Sequence, residues 1–407
     1  MPNTNSLILA ISKRLAKRRL FYVCRDLERA MGIDLSLPNY YIVTNHNEYS
    51  AKLAQQHPHI ILIKEKEQLD TRALLAHPQT TGAIKPNDFV LVFKNNALIE
   101  TECRKNGWKL LNPKAKLADK IESKVSQVKW LKELAKYLPP HEVTVCENIK
   151  WSGVPFILQF NHSHTGSGTL FIDSEKKLSD LKAKFSQREV RVMSFINGPV
   201  FTNNNVVWGG KILVGNINYQ ITGLSPFTDN EFATIGNDWA LPNKILSKKQ
   251  ITQYKNIATE IGRKLSKSGW RGLYGVDVIV DEKTGRLYLL EINARQPAST
   301  TFESQLQSLQ FAVRGLQTTT FVAHLAGLLG VPNKNYKLIS IADGAQIIQR
   351  VTKKITKARL PNMKNIALLN TIQYNNTSPG ADLVRFQFSK GLMQKHNKLN
   401  ALGKKLL

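Results

Sequence analysis

The sequence predicts an α/β first third followed by a mixed α+β body. Three observations carry this. Short apolar runs alternate with amphipathic stretches over residues 1–114, the pattern of a parallel sheet covered by helices. The middle of the chain changes to strands separated by loops rich in Gly and Asn. The chain is 407 residues long with 42% hydrophobic and 21% charged residues, enough for two or three domains with cores of their own.

Taken in order, residues 1–25 carry Lys13, Arg14, Lys17, Arg18, Arg19 and Arg25 and no acid. They read as a first helix with a basic face rather than as a transit peptide, although the composition resembles one. Residues 20–24, 40–44, 60–64 and 88–93 read as buried strands. No GxGxxG follows them, so no dinucleotide site is expected. Residues 115–138 read as one long Lys-rich helix stopped by Pro139-Pro140. Residues 156–160, 169–172 and 190–196 read as strands. Ser247 and Gln250 form a capping-box pattern. It opens a helix with Ile251, Tyr254, Ile257, Ile261 and Leu265 on one face. Residues 300–329 read as helical and apolar, closed by Gly330-Val331-Pro332. The tail, 334–407, holds 14 basic residues and two acids. It reads as a small α+β appendage with strands at 345–351 and 367–373, ending in an amphipathic Lys-rich helix at 390–407.

The formal net charge is +27, which fits an anionic partner such as a nucleotide, a nucleic acid or an acidic metabolite. Cys24, Cys103 and Cys146 form no CxxC pattern, so no zinc or redox site is expected, and unpaired thiols point to a reducing cytoplasm. No apolar run approaches the ~18 residues of a membrane span.

The most informative stretch runs from Gly272 to Arg295. Two β-type runs flank Glu282-Lys283-Thr284-Gly285, a turn signal. With the turn centred on Thr284, Asp277 falls opposite Glu291. Glu291 and Asn293 share a face because side chains alternate along a strand. Two carboxylates facing each other across a covered sheet repel. A hard divalent cation resolves the conflict and commonly joins one or two carboxylates to nucleotide phosphates. Arg295 stays on that face and can hold an anion. A solvated surface hairpin is the plainer reading, but both faces of these strands are apolar. Upstream, the strand ending in Gln159 and Phe160 runs into Asn161-His162-Ser163-His164-Thr165-Gly166-Ser167-Gly168-Thr169. Such a tip presents backbone N–H groups to phosphate oxygens. His162 and His164 read as loop residues rather than metal ligands.

This order of elements resembles the ATP-grasp superfamily, whose members include biotin carboxylase, carbamoyl-phosphate synthetase and peptide ligases. The resemblance covers roughly residues 110–331, and Leu290 to Arg295 is its specific part. It implies an ATP-grasp domain at 115–331 with a lid near 140–196. A pre-ATP-grasp α/β domain at 1–114 and a basic region at 332–407 complete the expected organisation. It further implies Asp277, Glu291 and Asn293 as metal ligands and Arg295 beside the reacting centre. Lys124, with Lys120 as the other candidate, would be the first nucleotide lysine. Gly166, Ser167, Gly168 and Thr169 would form the lid over the triphosphate, and Met193, Ser194, Phe195 and Ile196 the hinge lining the adenine. Gln159 stands where many relatives carry a second nucleotide lysine, and Met193-Ser194 where many carry acids. The implied cofactors are ATP and Mg²⁺, with Mn²⁺ as a substitute. The implied reaction activates a small carboxylate as an acyl phosphate and joins it to an amine, a peptide or another nucleophile. Residues 220–228, 235–241 and 296–301 are candidate substrate loops. The opposing readings are a nucleic-acid-binding protein, or an ATP-binding protein without ligase activity. Polyanion contact through the basic tail belongs to the first of these. Few aromatics accompany the basic tail, which weakens it.

Overall fold

The computed structural model describes residues 4–161, 168–310, 315–357, 367–374 and 376–407. After a helix at Thr4–Leu15 come β1 (Leu20–Val23), β2 (Tyr40–Asn45), β3 (Ile60–Ile63), β4 (Phe89–Val92) and β5 (Lys109–Leu110). They form a parallel sheet in the order β3-β2-β1-β4-β5. Every residue of β1 is buried, as a strand covered on both faces requires. The first four strands are the four apolar runs. The two-residue fifth is too short to leave a signal.

The stretch 115–138 is not one helix. It is Ala115–Glu122, then Lys124–Leu131, then a 3-10 turn at Lys132–Tyr137. Ser123 is extended (ψ 127°) and Lys132 has a positive φ of 52°. The break is held from outside. Asn161 Oδ1 accepts from the backbone N–H groups of Val125 (3.1 Å) and Ser126 (3.2 Å). Those are donors that a helix start leaves without intrahelical partners.

Next come β6 (His141–Val145), β7 (Phe156–Phe160), β8 (Thr169–Ile172) and β9 (Glu189–Ser194). They make an antiparallel sheet in the order β6-β9-β7-β8. The helix Glu175–Phe185 buries Leu178 and Leu181 against Phe156, Leu158 and Phe160 on one face of this sheet. Gln159, alternating with these, lies on the other face.

The central sheet is built from β10 (Val200–Trp208), β11 (Lys211–Leu213), β12 (Asn218–Thr222), β13 (Thr234–Asp238), β14 (Gly272–Val280) and β15 (Leu287–Asn293). A small parallel pair, β16 (Gln317–Thr318) and β17 (Lys337–Leu338), stands apart. Then β18 (Ala345–Arg350), β19 (Leu368–Gln373) and β20 (Asp382–Phe388) extend the central sheet through β13. Its order is β15-β14-β10-β12-β13-β18-β20-β19, with β11 on β10. The helix Lys248–Lys267 has the expected capping box at Ser247 and buries Tyr254, Ile257, Ile261 and Leu265.

Three expectations need correction. Residues 300–329 are two helices, Thr300–Ser308 and Thr320–Leu328. Their separation lets buried Gln307 accept from the Thr320 N–H at 2.7 Å. Residues 390–407 do not form an amphipathic helix. Met393–Lys395 and Lys398–Leu399 pair as a hairpin, followed by a short helix at Ala401–Lys404. Asn397 turns it with a φ of 54°. Buried Asp238 anchors it by accepting the N–H groups of Leu392 (2.6 Å) and Met393 (2.8 Å). Asparagine also does more than mark loops. Asn203, Asn204 and Asn205 lie fully buried in β10. Asn203 and Asn205 exchange amide hydrogen bonds, and Asn204 donates to Glu303. Among the described residues no helix is long and apolar enough to cross a membrane.

Candidate functional site

The site grows from the β14–β15 hairpin. Asp277 pairs with Glu291, Val276 with Ile292 and Gly275 with Asn293. Between the carboxylates and the turn, a bulge shifts the register, so that Val278 pairs with Leu289 and Leu290 has no partner. The extra residue aims Asp277 and Glu291 at each other. Burial and the Glu291 charge push the Asp277 carboxyl up to about 6, while Thr202, Gln220 and Asn293 offset part of the rise. Asn293 Nδ2 donates to Asp277 Oδ2 at 3.1 Å. Asp277 Oδ1 is buried with no partner of good geometry. Burial also raises Glu291, but Lys124, Arg295 and Arg191 outweigh it and hold this carboxylate below its ordinary range.

Lys124 Nζ lies 2.8 Å from Glu291 Oε1. The break at Ser123 puts Lys124 at the start of its own helix, facing the hairpin, whereas Lys120 is exposed. Arg295 pairs with Glu122, whose other oxygen takes Lys94 Nζ at 2.7 Å. Glu122 is therefore a carboxylate that holds two cations at the rim, and neither it nor Lys94 was foreseen. Nothing in the sequence separates Glu122 from an ordinary helix-surface glutamate.

These groups line a cleft of about 400 Å³ together with Asn161, Gly168 and Thr169. The last two bring the end of the glycine loop to the same cleft as Glu291 and Arg295. Gly166, Ser167, His162 and His164 lie outside the described residues.

Gln159 is not an open substitute for a lysine. Its Oε1 accepts from Arg191 Nε at 2.9 Å and Nη2 at 2.6 Å, and its Nε2 donates to Thr169 Oγ1 at 3.0 Å. Arg191 sits opposite Gln159 on β9. Its third bond goes to Gln127 Oε1 at 3.1 Å. The guanidinium is fully buried, and burial, partly offset by Glu291, lowers its pKa to about 10. A positive charge absent at 159 thus stands one strand away, with only neutral amides bonded to it. Sequence reasoning missed it because register across β7 and β9 cannot be read from spacing alone.

The segment Met193 to Ile196 leaves the β6–β9 sheet toward the central sheet. Met193 is buried, and the Ser194 N–H donates to Pro140 O at 2.9 Å. Phe195 is 40% exposed and its ring lies 4.7 Å from that of Phe171. Of the candidate substrate loops, residues 235–238 belong to β13. Gln296 is buried, accepting from Tyr22 Oη at 2.9 Å.

Two carboxylates, an amide and an orphaned carboxylate oxygen suit a hard divalent cation that completes its shell with phosphate oxygens or water. Among the described residues no three His, Cys, Asp or Glu side chains converge, so the protein alone supplies an incomplete set. Lys124 and Arg295 in the cleft suit a polyphosphate, and buried Arg191 adds its positive charge near Glu291.

Residues 121–299 match the ATP-grasp domain family. The chain carries an ATP-grasp domain. The whole chain also resembles solved ATP-grasp structures in fold. N5-carboxyaminoimidazole synthetase from Staphylococcus aureus, complexed with ADP, is 12% identical with a TM-score of 0.63, covering 95% of this chain and 94% of that one. L-amino acid ligase from Bacillus licheniformis is 13% identical with a TM-score of 0.60, covering 92% and 93%. Phosphoribosylamine–glycine ligase from Thermotoga maritima is 13% identical with a TM-score of 0.60, covering 95% and 96%. No curated protein matches the sequence significantly.

Proposed function

We propose that this protein is an ATP- and Mg²⁺-dependent ligase that joins a small carboxylate to an amine. The observation that carries the reading is the Asp277–Glu291 pair, whose Glu291 lines a cleft with Lys124, Arg295, Gly168 and Thr169 within an ATP-grasp domain. Two of the neighbours named above are ligases by title and the third is a synthetase, and all three share the fold. In such a reaction a substrate carboxylate oxygen bonds to the γ-phosphorus and ADP leaves. The amine nitrogen then bonds to the acyl carbon, and phosphate departs with loss of an amine proton.

Asp277, Glu291 and Asn293 would hold Mg²⁺, which supplies charge neutralisation at the phosphates. Lys124 would bind the nucleotide phosphates, and Arg191, buried between β9 and β7, would add positive potential there without touching them. Arg295, oriented by Glu122, would hold the reacting carboxylate and the charge that develops on it. Gly168 and Thr169, with the rest of the loop, would exclude the water that hydrolyses an acyl phosphate. Met193, Ser194, Phe195 and Ile196 would line the adenine. The three cysteines are buried and free, which fits a reducing compartment.

The test is release of ADP and phosphate from Mg·ATP across a panel of carboxylates crossed with amines. Turnover that requires one member of each class supports the reading. ATP hydrolysis indifferent to every pair, or none at all, contradicts it.

A further inference from the structure

Lys124 reaches Glu291 only because the chain breaks at Ser123. In a helix running unbroken from Ala115 to Leu131, Lys120 and Lys124 would stand four residues apart on one face. Lys120 is exposed, whereas Lys124 turns into the cleft and pairs with Glu291. The break therefore decides where the Lys124 ammonium goes.

An unbroken helix would join the Lys124 N–H to Lys120 O, the Val125 N–H to Ile121 O and the Ser126 N–H to Glu122 O. Other groups have taken several of these. Ser126 Oγ donates to Lys120 O at 2.9 Å, and Gln127 Nε2 donates to Ile121 O at 2.8 Å. Side chains of the second helix thus close the carbonyl side of the break. The donor side is closed from elsewhere. Ser123, at the N-cap, gives no side-chain cap. The Val125 and Ser126 N–H groups are the two that an N-cap side chain ordinarily serves. They go to Asn161 Oδ1 at 3.1 and 3.2 Å. Arg191 adds a second tie from the same β6–β9 sheet, donating to Gln127 Oε1 at 3.1 Å. Asn161 follows directly on β7 and lines the cleft with Lys124 and Glu291.

Without the Asn161 acceptor two backbone donors lose their partner. Their nearest replacements along the chain are Ile121 O and Glu122 O, reached by rejoining the two helices. Rejoining rotates Lys124 to the exposed face beside Lys120 and away from Glu291.

We infer that Asn161 is a positioning residue for the nucleotide. From the end of β7 it holds the broken helix start so that the Lys124 ammonium faces Glu291 and the phosphates. The role of the phosphates rests on the ligase reading, and the placing of Lys124 does not.

The experiment compares full-length wild type and Asn161→Ala on two readouts. The first needs no nucleotide. Lysines are acylated with acetic anhydride, and peptide mass spectrometry gives the Lys124 rate against the Lys120 rate. Asn161→Ala should raise that ratio severalfold, and an unchanged ratio overturns the inference. The second is calorimetric titration with Mg·ADP. Asn161→Ala should weaken binding about tenfold or more, but no more than about twofold when made in a Lys124→Met background. Undiminished affinity, or an equal loss in both backgrounds, overturns the inference, because Asn161 would then not act through Lys124. Failure of wild type to bind Mg·ADP contradicts the ligase reading and removes the nucleotide role, while the acylation ratio still decides whether Asn161 places Lys124. Should Asn161→Ala not fold, Asn161→Ser, which shortens the side chain and keeps it polar, is read in the same two ways.

Discussion

Exchanging Gln159 and Arg191 tests whether the β6–β9 sheet needs one buried positive charge and only one. Gln159→Lys alone would put an ammonium where Arg191 now finds an amide oxygen 2.6 Å away. Two unit charges ~4 Å apart at an effective dielectric of 20 repel by about 4 kcal/mol. The lysine can escape by losing its proton, which from an ordinary value of ~10.4 costs about 4–5 kcal/mol at pH 7. Both routes give a similar cost, so Gln159→Lys should destabilise the protein by about 4 kcal/mol. Arg191→Gln removes a guanidinium whose pKa burial has lowered to about 10, a relief of about 3 kcal/mol at 1.36 per unit. It also removes three hydrogen bonds to a charged group, worth ~1.5–3 kcal/mol each before amide–amide bonds replace some. The terms oppose, and the net change should stay within about 3 kcal/mol. The double variant again has one cation facing one amide and should recover most of the Gln159→Lys loss. Urea unfolding of the four proteins without nucleotide gives the coupling energy, expected at about 3–4 kcal/mol. Titration with Mg·ADP should show tenfold or greater weakening in Arg191→Gln and recovery in the double variant. A coupling below about 1 kcal/mol would refute the shared-charge argument.

Other consequences follow from buried groups and from the tail. Burial raises the Glu303 carboxyl to about 7 despite bonds from Thr320, Asn204 and Asn216. The folded state therefore holds this proton where the unfolded chain has released it, and stability falls as pH rises from about 4.5 to 7, by up to ~3 kcal/mol. Glu303→Gln should lose that component in chemical unfolding across pH 4.5–8, and an unchanged pH slope would refute it. Asp238 accepts the N–H groups of Ala240, Leu241, Leu392 and Met393. Asp238→Ala should cost at least about 3 kcal/mol in urea unfolding, since each buried donor left unpaired costs ~1–3. Lys398, Lys404 and Lys405 are exposed. Changing all three to Gln should leave Mg·ADP affinity within about twofold and lower the salt needed to elute the protein from heparin, because fewer counterions are released.

Much of the hairpin was legible, and the way it was legible is instructive. Centring the turn on Thr284 puts Asp277 opposite Glu291. The strand pairs nearest the turn are in fact offset from that centre, and the unpaired Leu290 restores it. Alternation read outward from the turn therefore reaches the observed pairing of the two carboxylates through a bulge that no local pattern shows. The apolar runs of β1–β4 were visible because a covered parallel strand is apolar on both faces. What sequence could not show depends on partners distant along the chain. Asn161 holds the helix break after Ser123 by bonding Val125 from 36 residues away. Glu122 gains its role only when Lys94 and Arg295 meet it. Arg191 matters through strand register. The C-terminal lysines and leucines have helical spacing, yet the buried Asp238 carboxylate binds their backbone as a hairpin. In each case a buried polar group outweighs local propensity, because leaving it unpaired costs more than a turn of helix provides.

The most direct measurement of the central claim is the Mg²⁺ dependence of ADP binding, compared between wild type and Glu291→Gln. The substitution keeps the side-chain volume and removes one negative charge from the pair with Asp277. If the pair holds a divalent cation that reaches phosphate, Mg²⁺ should tighten ADP binding by tenfold or more in wild type, and Glu291→Gln should lose most of that gain while melting within a few degrees of it. An equal Mg²⁺ response in the two proteins would contradict the account, because the cation would then be bound without the carboxylate on which the site is built.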